Sequence, residues 1–360
     1  MKVELFKKVL GEVKSKLGEV SDYNQALTLV KIWQATKEME DLEKSWEIAQ
    51  QKSYFEIQVE IVKSLALENL EKALEKAQKI SEKHWRDIAY LEIVKSLAKN
   101  KGKTQAVSKV ISLIENKYHK ALALLEIGQI EEALKIANNL GVELKIKLLI
   151  LIGKITGKKK YLGSALRLIK IHKPQSKNQF LKEIAVIFGK MGNYRKAREI
   201  AMKIDKERLK LETLCEIEAE SYDDFNLNVL SFQIRQIESL VERSELFRHL
   251  ARVLAQAERW ERALETAEKI PLLLEREETL REVAEIMAER KLIWRAEQLL
   301  KQIKTPSIRV QALIKLLKFS KESEKLENLY FEIQKIENTK SKIHALAEFL
   351  KVLSDLGRRP

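Results

Sequence analysis

Five histidines, one cysteine and a lysine-rich block are the residues of this chain whose side chains could do chemistry. His84, His119, His172, His249 and His344 fall in separate segments, and no two have the i, i+4 spacing that sets metal ligands on one helix face. They read as ordinary surface or half-buried imidazoles, so no metal site is expected. Cys215 has no histidine near it in sequence. A buried or partly buried free thiol is expected rather than a nucleophile, and a single cysteine excludes an internal disulfide framework. Glu277-Glu278 reads as exposed helix charge. There is no P-loop and no Rossmann glycine pattern, and Gly189-x2-Gly192 is explained by a turn. No acid, base and nucleophile make up a constellation. The chain is therefore not expected to be an enzyme, and no cofactor is implied.

What remains is charge. The net charge is +14, unevenly spread. Residues 151–200 hold 13 Lys and Arg against 2 Asp and Glu, a net of +11, and residues 144–182 hold 11 basic residues and no acid. Residues 205–289 hold 12 basic and 21 acidic residues, a net of −9. Such asymmetry concerns partners rather than fold. The basic block at 144–200 suits an anion, either nucleic-acid phosphates or an acidic peptide. It equally suits a solvated lysine face, or the acidic block of a second copy. Aromatic interleaving for base stacking is sparse, with only Tyr161 and Phe180 nearby, and Phe180 can pack inward.

The elements that must position these charges repeat. In Gln179–Ile204, Leu181, Ile184, Ala185 and Phe188 recur at helical spacing. Gly189 and Gly192 break the helix where a C-cap needs positive φ. Tyr194, Ala197, Ala201 and Ile204 then mark the inner face of a second helix, where small alanines let backbones approach. The Ala197/Ala201/Ile204 anchor recurs at Leu42, Ala73, Ala106, Ala133, Ala165, Leu230, Ala263, Ala296 and Leu329. Successive anchors lie 31, 33, 27, 32, 32, 33, 33, 33 and 33 residues apart. A period in this range signals a helical repeat array.

Gly192-x-Tyr194-x2-Ala197-x3-Ala201-x2-Ile204, preceded by Ala185, resembles the tetratricopeptide repeat (TPR). Ala251/Trp260/Ala263/Ala267 and Ala284/Trp294/Ala296 match similarly, and Gly153 with Ala165 more loosely. The family's period is about 34. Its tryptophan near the start of the first helix is replaced here by Leu181, Phe247 and Leu280, and its late proline is mostly missing or arrives early as Pro271, so the repeats are degenerate. The resemblance implies an all-α, right-handed superhelical solenoid whose concave face is lined by first helices, and usually peptide or protein binding. On that geometry Lys147, Lys154, Lys158, Lys182 and Lys190 face the groove, followed by Arg248, His249 and Arg252. Glu212, Glu216, Glu245, Glu278, Glu282 and Glu285 turn the same groove acidic. Arg167, Lys170, Arg195, Lys196 and Arg198 fall on second helices, toward the convex side. Trp33, Trp46, Trp85, Trp260 and Trp294 read as inter-repeat core.

The array comprises about ten antiparallel helix pairs with a cap helix at each end, residues 2–17 and 341–357. Hydrophobic content of 45%, with only 11 Gly and 4 Pro in 360 residues, fits a nearly all-helical chain. Thr305-Pro306 reads as an N-cap followed by a first-turn proline. No linker appears, so residues 1–360 are expected to form one continuous domain. The acidic stretch 218–229 reads as a long turn inside a repeat, with a hinge or a break between two sub-arrays as alternatives. Glu-to-basic pairs four apart (Glu68/Lys72, Glu75/Lys79, Glu131/Lys135, Glu258/Arg262, Glu265/Lys269) and 33% charged residues point to a thermophilic source. The charged start MKVELFKKVL is no secretory signal, and Leu148–Ile152 is too short to span a bilayer, so a cytoplasmic location is expected. The leading functional reading is a non-enzymatic scaffold for a protein or peptide partner, including an acidic one or a second copy. The alternative is nucleic-acid phosphate binding through residues 144–200.

Overall fold

The small residues that mark the repeat are among the most deeply buried in the protein. Ala73, Ala133, Ala165, Ala197, Ala201, Ala263, Ala267 and Ala296 are all 0% or close to it in exposure. Each sits where two helices cross, and its missing bulk sets how closely they approach. A computed structural model describes residues 2–99, 104–320 and 325–357.

The helices are α1 (Lys2–Lys16), α2 (Asp22–Thr36), α3 (Met39–Gln51), α4 (Phe55–Leu65), α5 (Leu70–Gln78), α6 (Lys83–Ala98), α7 (Thr104–Leu113), α8 (Lys117–Glu126), α9 (Ile130–Asn138), α10 (Val142–Thr156), α11 (Lys159–His172), α12 (Lys177–Lys190), α13 (Tyr194–Ala201), α14 (Glu207–Ser221), α15 (Asp224–Arg235), α16 (Leu240–Gln256), α17 (Trp260–Glu268), α18 (Leu273–Glu289), α19 (Ile293–Leu300), α20 (Pro306–Ser320), α21 (Leu326–Gln334) and α22 (Thr339–Gly357), with a 3-10 turn at Leu17–Glu19. Among the described residues there is no strand.

Packing divides the chain into two units, Glu12–Gln175 and Met1–Gly11 with Ser176–Pro360. In the smaller unit α2 packs on α3 and α4, α4 on α5 and α6, α6 on α7 and α8, α8 on α9 and α10, and α10 on α11. In the larger unit α12 packs on α13 and α14, α14 on α15 and α16, α16 on α17 and α18, α18 on α19 and α20, and α20 on α21 and α22. Within each unit, an even-numbered helix thus touches its own hairpin partner and the next even-numbered helix of that unit, the nearest-neighbour pattern of a repeat. The start of α1 belongs to the larger unit, where the Lys8 ammonium lies 4.7 Å from the Tyr330 ring centroid. Its end belongs to the smaller unit, where Lys14 pairs with Glu38 at 3.2 Å and Asp41 at 3.0 Å.

Side-chain caps punctuate the helices. Asn69, Asn193, Asp223 and Ser239 each accept an amide of their own first turn. Pro306 opens α20 as predicted. The junctions between repeats are latched by neighbours in sequence. Arg276 donates to the Ile270 carbonyl at 2.7 Å, and Glu277 accepts the amides of Lys304 (3.0 Å) and Thr305 (3.1 Å). Arg86 and Asp87 do the same, with Ile80 and with Glu115 and Asn116.

Several expectations are corrected. The stretch 218–229 is not a long turn, since most of it lies in α14 and α15. Tyr222, at φ 55°, and Asp223 alone separate α14 from α15, and the acids make ion pairs. Glu277 is buried as a latch, not exposed. Trp294 is 70% exposed, not core, whereas Trp33, Trp46 and Trp260 are buried. Of the predicted anchor Ala106/Val110/Leu113 in α7 only Val110 is buried, while Val107, Ile111 and, just after the helix, Ile114 are buried one residue later and Leu113 faces outward. Of the five predicted i, i+4 pairs only Glu75–Lys79 forms, at 2.5 Å. Glu68 pairs instead with Lys37, Lys135 with Glu132, Glu258 with Arg290, and Glu265 with Arg262. Two of these partners lie three residues away on the same helix and two lie on the neighbouring repeat, so spacing along one helix does not by itself select the pair.

Candidate binding groove

The even-numbered helices of the larger unit bring residues from four repeats to one face. The period of 33 places Lys182 on α12, Arg248 on α16 and Arg281 on α18 at equivalent positions. Lys182, Arg208 and Glu212 line a cavity of about 380 Å³, with Glu245, Arg248, His249 and Arg252 of α16 and Glu282 of α18 closing it. That volume lies at the lower end of small-ligand pockets.

The charges are matched across helices. Lys182 lies 3.3 Å from both Glu212 and Glu216. Arg208 reaches Glu212 at 3.1 Å and Glu245 at 2.8 Å. Arg248 bridges Glu275 at 2.8 Å and Glu282 at 2.6 Å. The hydrogen bond to Glu282 holds the Arg248 guanidinium above its usual range, with burial opposing. Burial works against the Glu212 charge, but the Arg208 hydrogen bond and Lys182 outweigh it and keep that carboxyl below the usual range. The pattern continues along α18 and α20, with Arg281 on Glu278 (2.7 Å) and Lys315 on Glu285 (2.8 Å).

Two groups stand outside this pairing. Among the described residues Arg252 has no carboxylate partner. Its guanidinium donates to Nδ1 of His249 at 3.1 Å. Nδ1 is therefore an acceptor, and the proton of the neutral ring sits on Nε2, 3.3 Å from the Glu212 carbonyl and 3.7 Å from Glu216 Oε1. Burial pushes the His249 pKa down, Lys182 and Arg252 add to this, and Glu216 and Glu212 oppose it. The second is a single atom of a paired residue: Glu282 meets Arg248 through Oε1, while its Oε2 is buried without a hydrogen-bond partner. Beneath them Cys215 is fully buried on α14, and desolvation pushes its thiol pKa up, so it stays protonated.

Of the residues expected on the groove, Lys182, Arg248, His249 and Arg252 come together in this cavity. Lys190 is exposed in the last turn of α12 and does not line it. Lys147 and Lys154 on α10 and Lys158 before α11 are exposed and belong to the smaller unit. Arg208 and Glu275 were missed, and the one local signal for Arg208 is its i, i+4 spacing to Glu212. Phe180 and Tyr161 are buried and offer no stacking face. In the smaller unit the first helices begin with rings that meet one another. Tyr23 lies 5.2 Å from Tyr54, Phe55 stacks on Trp85 at 6.1 Å, and His84 lies 5.2 Å from His119. Those two histidines, expected to be isolated, are thus neighbours. Among the described residues no group of three or more His, Cys, Asp or Glu is placed to hold a metal. No helix among them is long and apolar enough to cross a membrane.

No family model matches the sequence, and no curated protein matches it. Among solved structures the chain is similar to Ton1535 from Thermococcus onnurineus NA1, with 18% identity over 80% of this chain and 99% of that one, at a TM-score of 0.29. It is also similar to a circular tandem repeat protein with novel repeat topology and enhanced subunit contact surfaces, with 15% identity over 99% of this chain and 89% of that one, at a TM-score of 0.19.

Proposed function

We propose that this chain is a non-enzymatic scaffold that binds a protein or peptide segment along the groove of α12, α14, α16 and α18. In this reading the helix pairs, about ten in all, are TPR-like and coil right-handedly within each unit. The observation that supports it is the mixed sign of the groove. Lys182, Arg208 and Arg248 are already neutralised by carboxylates of the next helix. A phosphate chain needs an uncompensated basic path, whereas a peptide, which carries both donors and acceptors, suits alternating charges. A photo-crosslinking residue at position 245, on the cavity wall, should capture a partner that the same residue at the outer position Glu261 does not. Equal capture at both positions would overturn the proposal.

A second reading, nucleic-acid binding, is favoured by a separate observation in the smaller unit. Lys147, Lys154 and Lys158 are exposed and have no carboxylate partner among the described residues. Fluorescence anisotropy with labelled single-stranded RNA and duplex DNA at two salt concentrations tests it. Tight binding with a steep salt slope, lost in Lys154→Glu with Lys158→Glu, supports this reading, and no binding at low salt removes it.

A further inference from the structure

Among the described residues, one cation of the cavity, Arg252, can meet an incoming anion without breaking an internal ion pair. Lys182, Arg208 and Arg248 are each held by two carboxylates. Arg252 has none among the described residues, and it is exposed at the edge of the cavity. What it touches instead is the Nδ1 lone pair of His249.

That contact constrains what happens when a carboxylate arrives. A carboxylate seated on Arg252 comes up against Nδ1, which as an acceptor offers it a second lone pair. The clash is relieved if Nδ1 takes a proton, which makes it a second donor to the same anion. The far side of the ring is already built for an imidazolium, since Nε2 points at the Glu212 carbonyl (3.3 Å) and faces the Glu216 carboxylate (3.7 Å). What disfavours a charge on the ring is its burial and the positive charges of Lys182 and Arg252. A carboxylate on Arg252 cancels one of those charges. The remaining charged groups around the ring are Arg208 on α14, Glu245 and Arg248 on its own helix, and Glu282 on α18, and each is committed to a neighbour.

We propose that the edge of this cavity seats an aspartate or glutamate side chain of the bound segment, held jointly by Arg252 and by His249 protonated at Nδ1, so that binding takes up a proton. The proton comes from solvent and moves only onto Nδ1; no covalent bond is made. This inference rests on the peptide-binding reading above and names the chemistry of its anchor. The groove then grips acidic segments more tightly as pH falls from 8 to 6, a range over which free glutamate side chains stay ionised.

The test is calorimetric titration of the full chain with acetylated hexaglutamate at pH 6 and pH 8, in buffers of differing ionisation heat. The expected result is at least tenfold tighter binding at pH 6 and an uptake approaching one proton per site. Arg252→Gln should abolish binding at both values, and Arg252→Lys should restore part of it, which separates charge from misfolding. His249→Gln should leave binding weak and independent of pH. The proposal is overturned if Arg252→Gln binds as the parent does, if His249→Gln keeps the pH dependence, or if hexaglutamate does not bind at either pH. In the last case crosslinking at position 245 still judges the scaffold reading by itself, because it leaves Arg252 in place and requires no acidic ligand.

Discussion

Arg198 of α13 and Glu218 of α14 meet through two parallel hydrogen bonds of 2.7 Å each, the strongest geometry an ion pair can take. The Glu218 side chain is only 4% exposed, so its charge depends on that partner. Asp223 adds a second carboxylate to Arg198 at 3.4 Å, and Ser221 donates to Glu218 at 2.9 Å. The hydrogen bond to Glu218 raises the Arg198 pKa against the penalty of burial. Removing Arg198 strands a buried carboxylate. Arg198→Ala should therefore destabilise the larger unit by about 3 kcal/mol, the low end for breaking a buried pair, because Arg198 is itself partly exposed. Arg198→Met combined with Glu218→Leu should recover most of the loss. Denaturant midpoints of the two variants check this, and a double variant as unstable as the single one would contradict it.

The latch at Glu277 predicts a loss of stability in acid. Burial raises the cost of its charge, but hydrogen bonds from Thr305 and Lys304 overcome this and depress its pKa. A carboxyl with a depressed folded pKa contributes stability that is complete above its unfolded value and is lost as pH falls through the folded value. The latch should therefore hold at neutral pH and fail below about pH 4.5. Glu277→Gln keeps the shape but offers a single carbonyl to two amides. It should cost about 1–3 kcal/mol at pH 7 and progressively less as pH falls through the depressed folded value. Equal losses across that fall would show that the charge plays no part.

Two helix glycines should respond in opposite directions to the same change. At Gly153 of α10 an added Cβ would lie 2.6 Å from Cδ2 of Leu162, a fully buried side chain with little room to move. At Gly189 of α12 the nearest atom would be Ile217 Cγ1 at 3.6 Å, an ordinary contact. Alanine is favoured over glycine in a helix by about 1 kcal/mol, while overpacking costs about 1–3 kcal/mol. Gly189→Ala should thus raise the thermal midpoint and Gly153→Ala should lower it. A rise in both would mean that Leu162 yields freely.

The repeat was legible because burial follows a fixed register. Ala197, Ala201 and Ile204 were readable as inner positions, and the same register delivered Lys182, Arg248 and His249 to one cavity. Turn geometry was less legible. Lys37, Tyr222, Glu258 and Lys291 adopt positive φ without glycine, as Gly192 does with it, so the turn at Tyr222 looked longer than it is. Ion pairing was hardly legible at all. Glu68 chooses Lys37 and Glu258 chooses Arg290, each about one repeat away in sequence, and nothing local marks those partners. The free Arg252 and the unpartnered Glu282 Oε2 appear only once their neighbours are in place.

His119 gives the smaller unit its own sensitivity to pH. The ring is 9% exposed, its Nδ1 is buried without a partner, and the His84 ring lies 5.2 Å away. Burial lowers its pKa and His84 lowers it further, with Asp87 opposing. A histidine whose folded pKa is depressed binds fewer protons in the folded state than in the unfolded state. As pH falls below about 6.5 the unfolded chain takes up a proton that the folded chain refuses, and stability declines by up to about 1.4 kcal/mol per pH unit until the lowered value is reached. His119→Gln should flatten that slope, and His84→Gln should shrink it by removing the neighbouring charge. Denaturant titrations at pH 7.5 and pH 5.5 measure it. If the slope persists in His119→Gln, the acid sensitivity lies elsewhere, and the buried imidazole is protonated in the folded unit without penalty.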